Sequence, residues 1–103
     1  AKAISDNETL AQVLYQQGVA CYETGNFGRA DKCFTAVLGM QGADAWIHPY
    51  SHYRLGMTLV KQDKTATAKQ HFARVLEYED YPSEDVLRKR VAREMNALER
   101  NGK

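Results

Sequence analysis

The sequence predicts an all-α fold: two antiparallel helix pairs followed by one closing helix. Three observations point to it. First, the chain matches itself. "LYQQGVACYETGNFGRADKCFTAVL" (14–38) lies over "HYRLGMTLVKQDKTATAKQHFARVL" (52–76) at a constant offset of 38 without a gap. Gly18 falls on Gly56, Ala30 on Ala68, Phe34 on Phe72, Val37 on Val75 and Leu38 on Leu76, and such ordered self-similarity marks a repeat of one supersecondary unit. Second, apolar residues within each copy recur every three or four positions, the period of a helix face. Third, short turn and cap signals divide each copy into two helices and set off a last helix beyond Pro82.

In the first copy, "SDNE" (5–8) fits a capping box, with Ser5 accepting from the backbone and Glu8 reaching back. Leu10, Leu14, Gly18 and Cys21 form the stripe of the first helix, and Gly25 ends it, since a residue of positive φ suits that place. Asn26 is a good N-cap for the second helix, whose stripe is Phe27, Ala30, Phe34 and Val37/Leu38. The connection within "GMQGADAWIHPYSHYRLG" (39–56) holds the only Trp, Trp46. Pro49 suits the first position of the third helix, where its missing N–H costs nothing. His48 then stands at or just before the N-cap, while Trp46 and Ile47 fold back over the first pair. The second copy repeats the plan with Leu55, Gly56 and Leu59. It turns at "QDK", where Asp63 tolerates the left-handed region, and continues with Ala68, Phe72, Val75 and Leu76. In the last helix Ser83 caps, Glu84 and Asp85 suit the positive N-terminal end, and Val86 or Leu87, Val91, Met95 and Leu98 form one stripe. Asn101-Gly102 stops it.

A glycine in the first helix, a Gly-Asn-Phe turn, and Ala and Phe four apart in the second helix resemble the tetratricopeptide repeat (TPR). Gly18, Gly25, Asn26, Phe27, Ala30 and Phe34 carry the likeness, which spans residue 10 to about 80. The second copy departs at its turn, where Asp63, Lys64 and Thr65 replace Gly, Asn and the aromatic. The resemblance implies a TPR-like right-handed superhelix of two antiparallel helix pairs plus a C-terminal capping helix. The family period is about 34 residues, so the surplus falls in the connection. The expected plan is one domain over 1–103: repeat one at about 8–41, an extended connection at 42–48, repeat two at about 49–80, and a capping helix at 83–100.

In this family the first helix of each pair lines the concave side. The resemblance therefore implies contact residues Gln12, Tyr15, Val19, Tyr22 and Glu23 from copy one, with Tyr50, Tyr53, Arg54, Met57, Val60 and Lys61 from copy two. Four of the six tyrosines fall in this set. An aromatic groove with an adaptable Met suits a helix or extended peptide with apolar side chains. Only Arg54 and Lys61 are cationic, which argues against the carboxylate clamp some family members use. The expected function is a non-catalytic interaction module with a protein or peptide partner. Three alternatives stay open: self-association through the same patch as a homo-oligomer or assembly chaperone, the end fragment of a longer scaffold, and a last helix that turns into the groove and buries Tyr22, Tyr53 and Met57.

Composition bounds the rest. The chain has 103 residues, 26% charged, with a net charge of +1, so no strong field steers it to nucleic acid. Residues 83–103 hold six basic and four acidic side chains, and "RKRVAR" (88–93) reads as a solvated face. No apolar run approaches the ~20 residues of a membrane span. Two cysteines, Cys21 and Cys33, make no disulfide framework or zinc spacing, so a reducing, cytoplasmic setting is expected. The chain starts at Ala1, which fits a processed or excised piece. No phosphate loop or nucleophile elbow is present, so neither enzyme activity nor a cofactor is expected. His48 and His52 are four apart, but Pro49 between them places His48 outside the helix, and no third ligand is near in sequence. No metal site is expected, and His71 reads as half-exposed.

Overall fold

The computed structural model describes the backbone of residues 3–41 and 45–102, with side chains at 9–41 and 45–100. Among the described residues it has five helices and no strand: α1 (Ala3–Glu23), α2 (Phe27–Leu38), α3 (Ile47–Lys61), α4 (Thr65–Val75) and α5 (Glu84–Gly102). α1 packs on α2, α3 on α4, and α2 on α3, while α5 lies against α4 and more lightly against α3. The result is a slab of 52 × 30 × 18 Å.

Each helix pair closes on a glycine facing a phenylalanine. A Cβ on Gly18 would meet Phe34 Cε1 at 2.7 Å, and one on Gly56 would meet Phe72 Cε1 at 2.6 Å. Both rings are fully buried. The predicted α2 and α4 stripes hold at Ala30, Phe34 and Val37, and at Ala68, Phe72 and Val75. The α1 stripe is rotated from the expected one. Ala11, Tyr15 and Gly18 face inward, while Leu10 is 50% exposed. Leu76 is exposed too, and in α5 it is Leu87 that is buried and Val86 that faces out.

The two turns are built alike despite their different residues. Gly25 (φ 86°) and Asp63 (φ 64°), one offset apart, both sit in the left-handed region. Behind them Asn26 N donates to Cys21 O at 2.8 Å, and Lys64 N to Leu59 O at 2.9 Å. Asn26 is the N-cap of α2, but its side chain makes no capping hydrogen bond.

Two boundaries differ from the sequence reading. α1 begins at Ala3, so Ser5 lies inside the helix rather than capping it; the Ser5 and Glu8 side chains fall outside the described ones. α3 begins at Ile47, which makes Pro49 its third residue and His48 its second. The first-turn N–H groups of a helix have no intrahelical acceptor, so Pro is tolerated there as well as at the first position. His48 is thus inside the helix, and it donates from Nε2 to the Val37 carbonyl at 3.1 Å, tying α3 to the end of α2. Ser83 directly precedes α5, the place expected of its cap, with φ 65°.

The basic stretch at the start of α5 is only partly a solvated face. Lys89, Arg90 and Arg93 are exposed, but Arg88 is a clamp. Its Nη2 donates to the carbonyls of Leu76 (3.2 Å) and Tyr78 (3.0 Å), and its Nε to Glu84 Oε2 at 2.9 Å. It thereby satisfies acceptors left over at the end of α4. Arg88→Ala is expected to lower stability by about 1–2 kcal/mol, the range of charge-assisted hydrogen bonds with partial exposure. Urea denaturation checks this, and Arg88→Lys, which cannot reach both carbonyls and Glu84 as a fork, recovers only part of the loss.

Candidate functional site

The overlong connection and the start of α3 place three aromatic rings where α1, α3 and the segment before α5 meet. Tyr15, Trp46, Tyr50, Pro82 and Ser83 line a recess of about 370 Å³. Trp46 stands edge-on to Tyr15 (centroids 5.3 Å, 90°) and to Tyr50 (5.8 Å, 78°). Tyr50 continues to Tyr81 at 6.4 Å, and Tyr15 backs onto Phe34 at 5.8 Å. Such edge-to-face rings hold one another rigidly. At the floor, Arg54 Nε donates to the Tyr15 hydroxyl at 3.4 Å. The recess is apolar-walled with one guanidinium nearby, a combination that takes an apolar side chain and steers a neighbouring acceptor.

Farther along α1 and α3 the surface is different. Tyr53 is only 9% exposed and tilts against Phe72 at 6.2 Å. Burial pushes its hydroxyl pKa up, with Glu94 adding to the rise and Arg90 and Arg54 opposing it. Tyr22 is half-buried and edge-on to Phe27 at 5.6 Å. Burial raises its pKa as well, against Arg54 and together with Glu94. Glu94 of α5 therefore acts electrostatically on both Tyr22 and Tyr53, while α5 itself packs lightly on α3.

The predicted contact residues thus divide. Tyr15, Tyr50 and Arg54 gather at the recess, although Tyr15 is 7% exposed and offers little of its ring. Tyr22 packs on Phe27 and Tyr53 on Phe72. Gln12 is half-buried, as are Val19, Met57 and Val60, which pack on the core; Glu23 is exposed, and Lys61 is exposed in the last turn of α3. Sequence reasoning missed Pro82 and Ser83, and it gave Trp46 a packing role only. The one available signal was the sole Trp standing in a connection longer than the repeat needs.

The structure also pairs two histidines. His52 on α3 and His71 on α4 approach Nδ1 to Nδ1 at 3.0 Å, with rings stacked 5.2 Å apart and Tyr78 5.8 Å from His52. One ring must donate and the other accept, which requires at least one neutral imidazole. His52 is 7% exposed. Burial, then His71, Arg74 and His48, push its pKa from 6.5 down to about 4. Burial lowers that of His71, with Asp31 opposing and Arg74 assisting. Among the described residues, no three His, Cys, Asp or Glu side chains gather to hold a metal ion. Nor is any helix among them long and apolar enough to cross a membrane.

Comparison with known families brings one match: a family model described as tetratricopeptide repeat covers residues 11–44 and 49–80. Comparison with curated proteins and with solved structures gives no significant match.

Proposed function

Since the chain belongs to the tetratricopeptide repeat family, whose members generally act as non-catalytic protein-interaction modules, we propose that it binds a peptide or helical segment of a partner protein at the Tyr15–Trp46–Tyr50 recess. The supporting observation is that these rings, with Pro82, surround a recess of about 370 Å³, whereas Tyr53 is buried against Phe72. An aliphatic or aromatic side chain of the partner fills the recess. Arg54, half-buried beside it, engages a carbonyl or carboxylate of the same segment. Of the residues expected on the concave wall, Tyr50 and Arg54 carry most of the affinity in this reading. Tyr15 sets the floor.

Because Trp46 is the sole Trp and lines the recess, its emission reports occupancy. Short displayed peptides selected on the protein are expected to share one large apolar residue and to shift Trp46 emission on titration. Tyr50→Ala is expected to weaken them at least about tenfold, as loss of a central interface tyrosine does. Selected peptides that leave Trp46 emission unchanged and bind Tyr50→Ala equally well would rule the recess out.

A further inference from the structure

The residues lining the recess are held in place in two different ways. Tyr15 and Tyr50 sit on α1 and α3, and Trp46, which directly precedes α3, stands edge-on to both. Pro82 and Ser83, the rest of the lining, belong to the connection between α4 and α5 (76–83). The anchoring of that connection therefore sets the width of the recess. Two non-glycine residues within it take positive φ, Asp80 at 61° and Ser83 at 65°. A residue with a side chain keeps such a conformation only where its surroundings fix it.

Glu84 and Arg88 do the fixing. Glu84, the first residue of α5, uses both carboxylate oxygens. Oε1 accepts from the Asp80 N–H at 3.0 Å, and Oε2 accepts from Arg88 Nε at 2.9 Å. Arg88 Nη2 in turn donates to the Tyr78 carbonyl at 3.0 Å. These contacts close a ring from Tyr78 through Arg88 and Glu84 to Asp80, just ahead of Pro82. Charge-assisted hydrogen bonds of this kind are the strong ones. On the other side of the ring, the Glu84 N–H donates to the Tyr81 carbonyl at 3.2 Å and the Leu87 N–H to that of Ser83 at 3.0 Å. Tyr81 is 6% exposed and lies 6.4 Å from Tyr50. We propose that Glu84 and Arg88 are positioning residues of the recess: by fixing residues 78–80 they hold Pro82 and Ser83 at a set distance from Trp46 and Tyr50, and so limit the size of the side chain admitted. The size limit rests on the recess being the partner site proposed above; the placing of Pro82 and Ser83 does not.

Acrylamide quenching of Trp46 in the free protein tests the placing, with circular dichroism to show that each variant is folded at the temperature used. Glu84→Ala is expected to raise the quenching constant at least about twofold, as a loosened connection admits the quencher. Glu84→Gln keeps an acceptor for the Asp80 N–H and should fall between, so it serves even if Glu84→Ala does not fold. Asp85→Ala is the control: it removes the same charge from the same end of α5 at an exposed position outside the ring, and should leave quenching unchanged. The size limit is read from a selected peptide carrying Leu or Trp as its apolar residue. Glu84→Ala is expected to narrow the ratio of the two affinities at least about threefold, since a looser pocket discriminates less by size. Quenching that stays the same in both Glu84 variants, or rises equally in Asp85→Ala, would overturn the proposal. So would an unchanged ratio for peptides that Tyr50→Ala weakens. Peptides indifferent to Tyr50→Ala would instead remove the recess as partner site, and quenching alone would then decide the positioning role.

Discussion

Gly56→Leu is expected to destabilise the fold by about 3 kcal/mol or more, at the upper end of core overpacking. The first added carbon already lands 2.6–2.9 Å from three atoms of the Phe72 ring. That ring is fully buried, with Tyr53 tilted against it at 6.2 Å. It can yield only by pushing α3 and α4 apart. Even Gly56→Ala is expected to lose stability, although Ala gains roughly 1 kcal/mol over Gly as a helix former. Gly18→Ala should do likewise, since its Cβ meets Phe34 at 2.7–3.0 Å. Urea denaturation followed by circular dichroism measures each loss. A Phe72→Leu change in the Gly56→Ala background, which clears the ring edge, should recover part of it. If Gly56→Ala proved more stable than the parent, the close helix crossing would not be what the glycine serves.

Acid is expected to weaken the protein well before its carboxylates titrate. His52 is held neutral in the fold, its pKa near 4, whereas in the unfolded chain it lies near 6.5. Between these values the unfolded state binds the extra proton, so stability is full above about pH 6.5 and falls as the pH drops toward 4. The whole shift is worth about 3 kcal/mol. The half-exposed His71 side admits water, which reduces this to roughly 2 kcal/mol. Charging both rings would also set two cations 3.0 Å apart, with Arg74 on the same helix as His71 and Asp31 the acidic group opposing its shift. The repeat provides the control, because Leu14 stands at the position of His52 one offset earlier. His52→Leu should fold and show a much flatter stability profile between pH 6.5 and 4. A profile unchanged by His52→Leu would place the acid sensitivity elsewhere.

Legibility in the sequence follows the range of the interaction. The helix pairs, their glycine–phenylalanine crossings and the left-handed turn at Asp63 were readable because each depends on spacing within one pair, and the repeat states every spacing twice. The family followed from the same residues. The first boundary of α3 was misread by two residues, because a proline is equally at home at the first and third helical positions and no nearby cap distinguishes them. Leu10 was placed in the core stripe for a related reason. A helix with apolar residues on two faces has a period but not a unique inward direction, and α1 turns Tyr15 in and Leu10 out. Arg88 looked like solvent-facing charge because its acceptors, the Leu76 and Tyr78 carbonyls, exist only where α4 happens to stop.

By itself the sequence determined an all-helical repeat and the residues at which its helices cross, since backbone spacing and side-chain volume act locally and recur at a fixed interval. Only the tertiary structure decided that Trp46, Tyr50 and Pro82 share a recess, that Tyr53 is buried against Phe72, and that His52 meets His71. Those meetings depend on the angle at which one pair lies on the next and on where the connections end. Both come from packing between segments distant along the chain, which no period records.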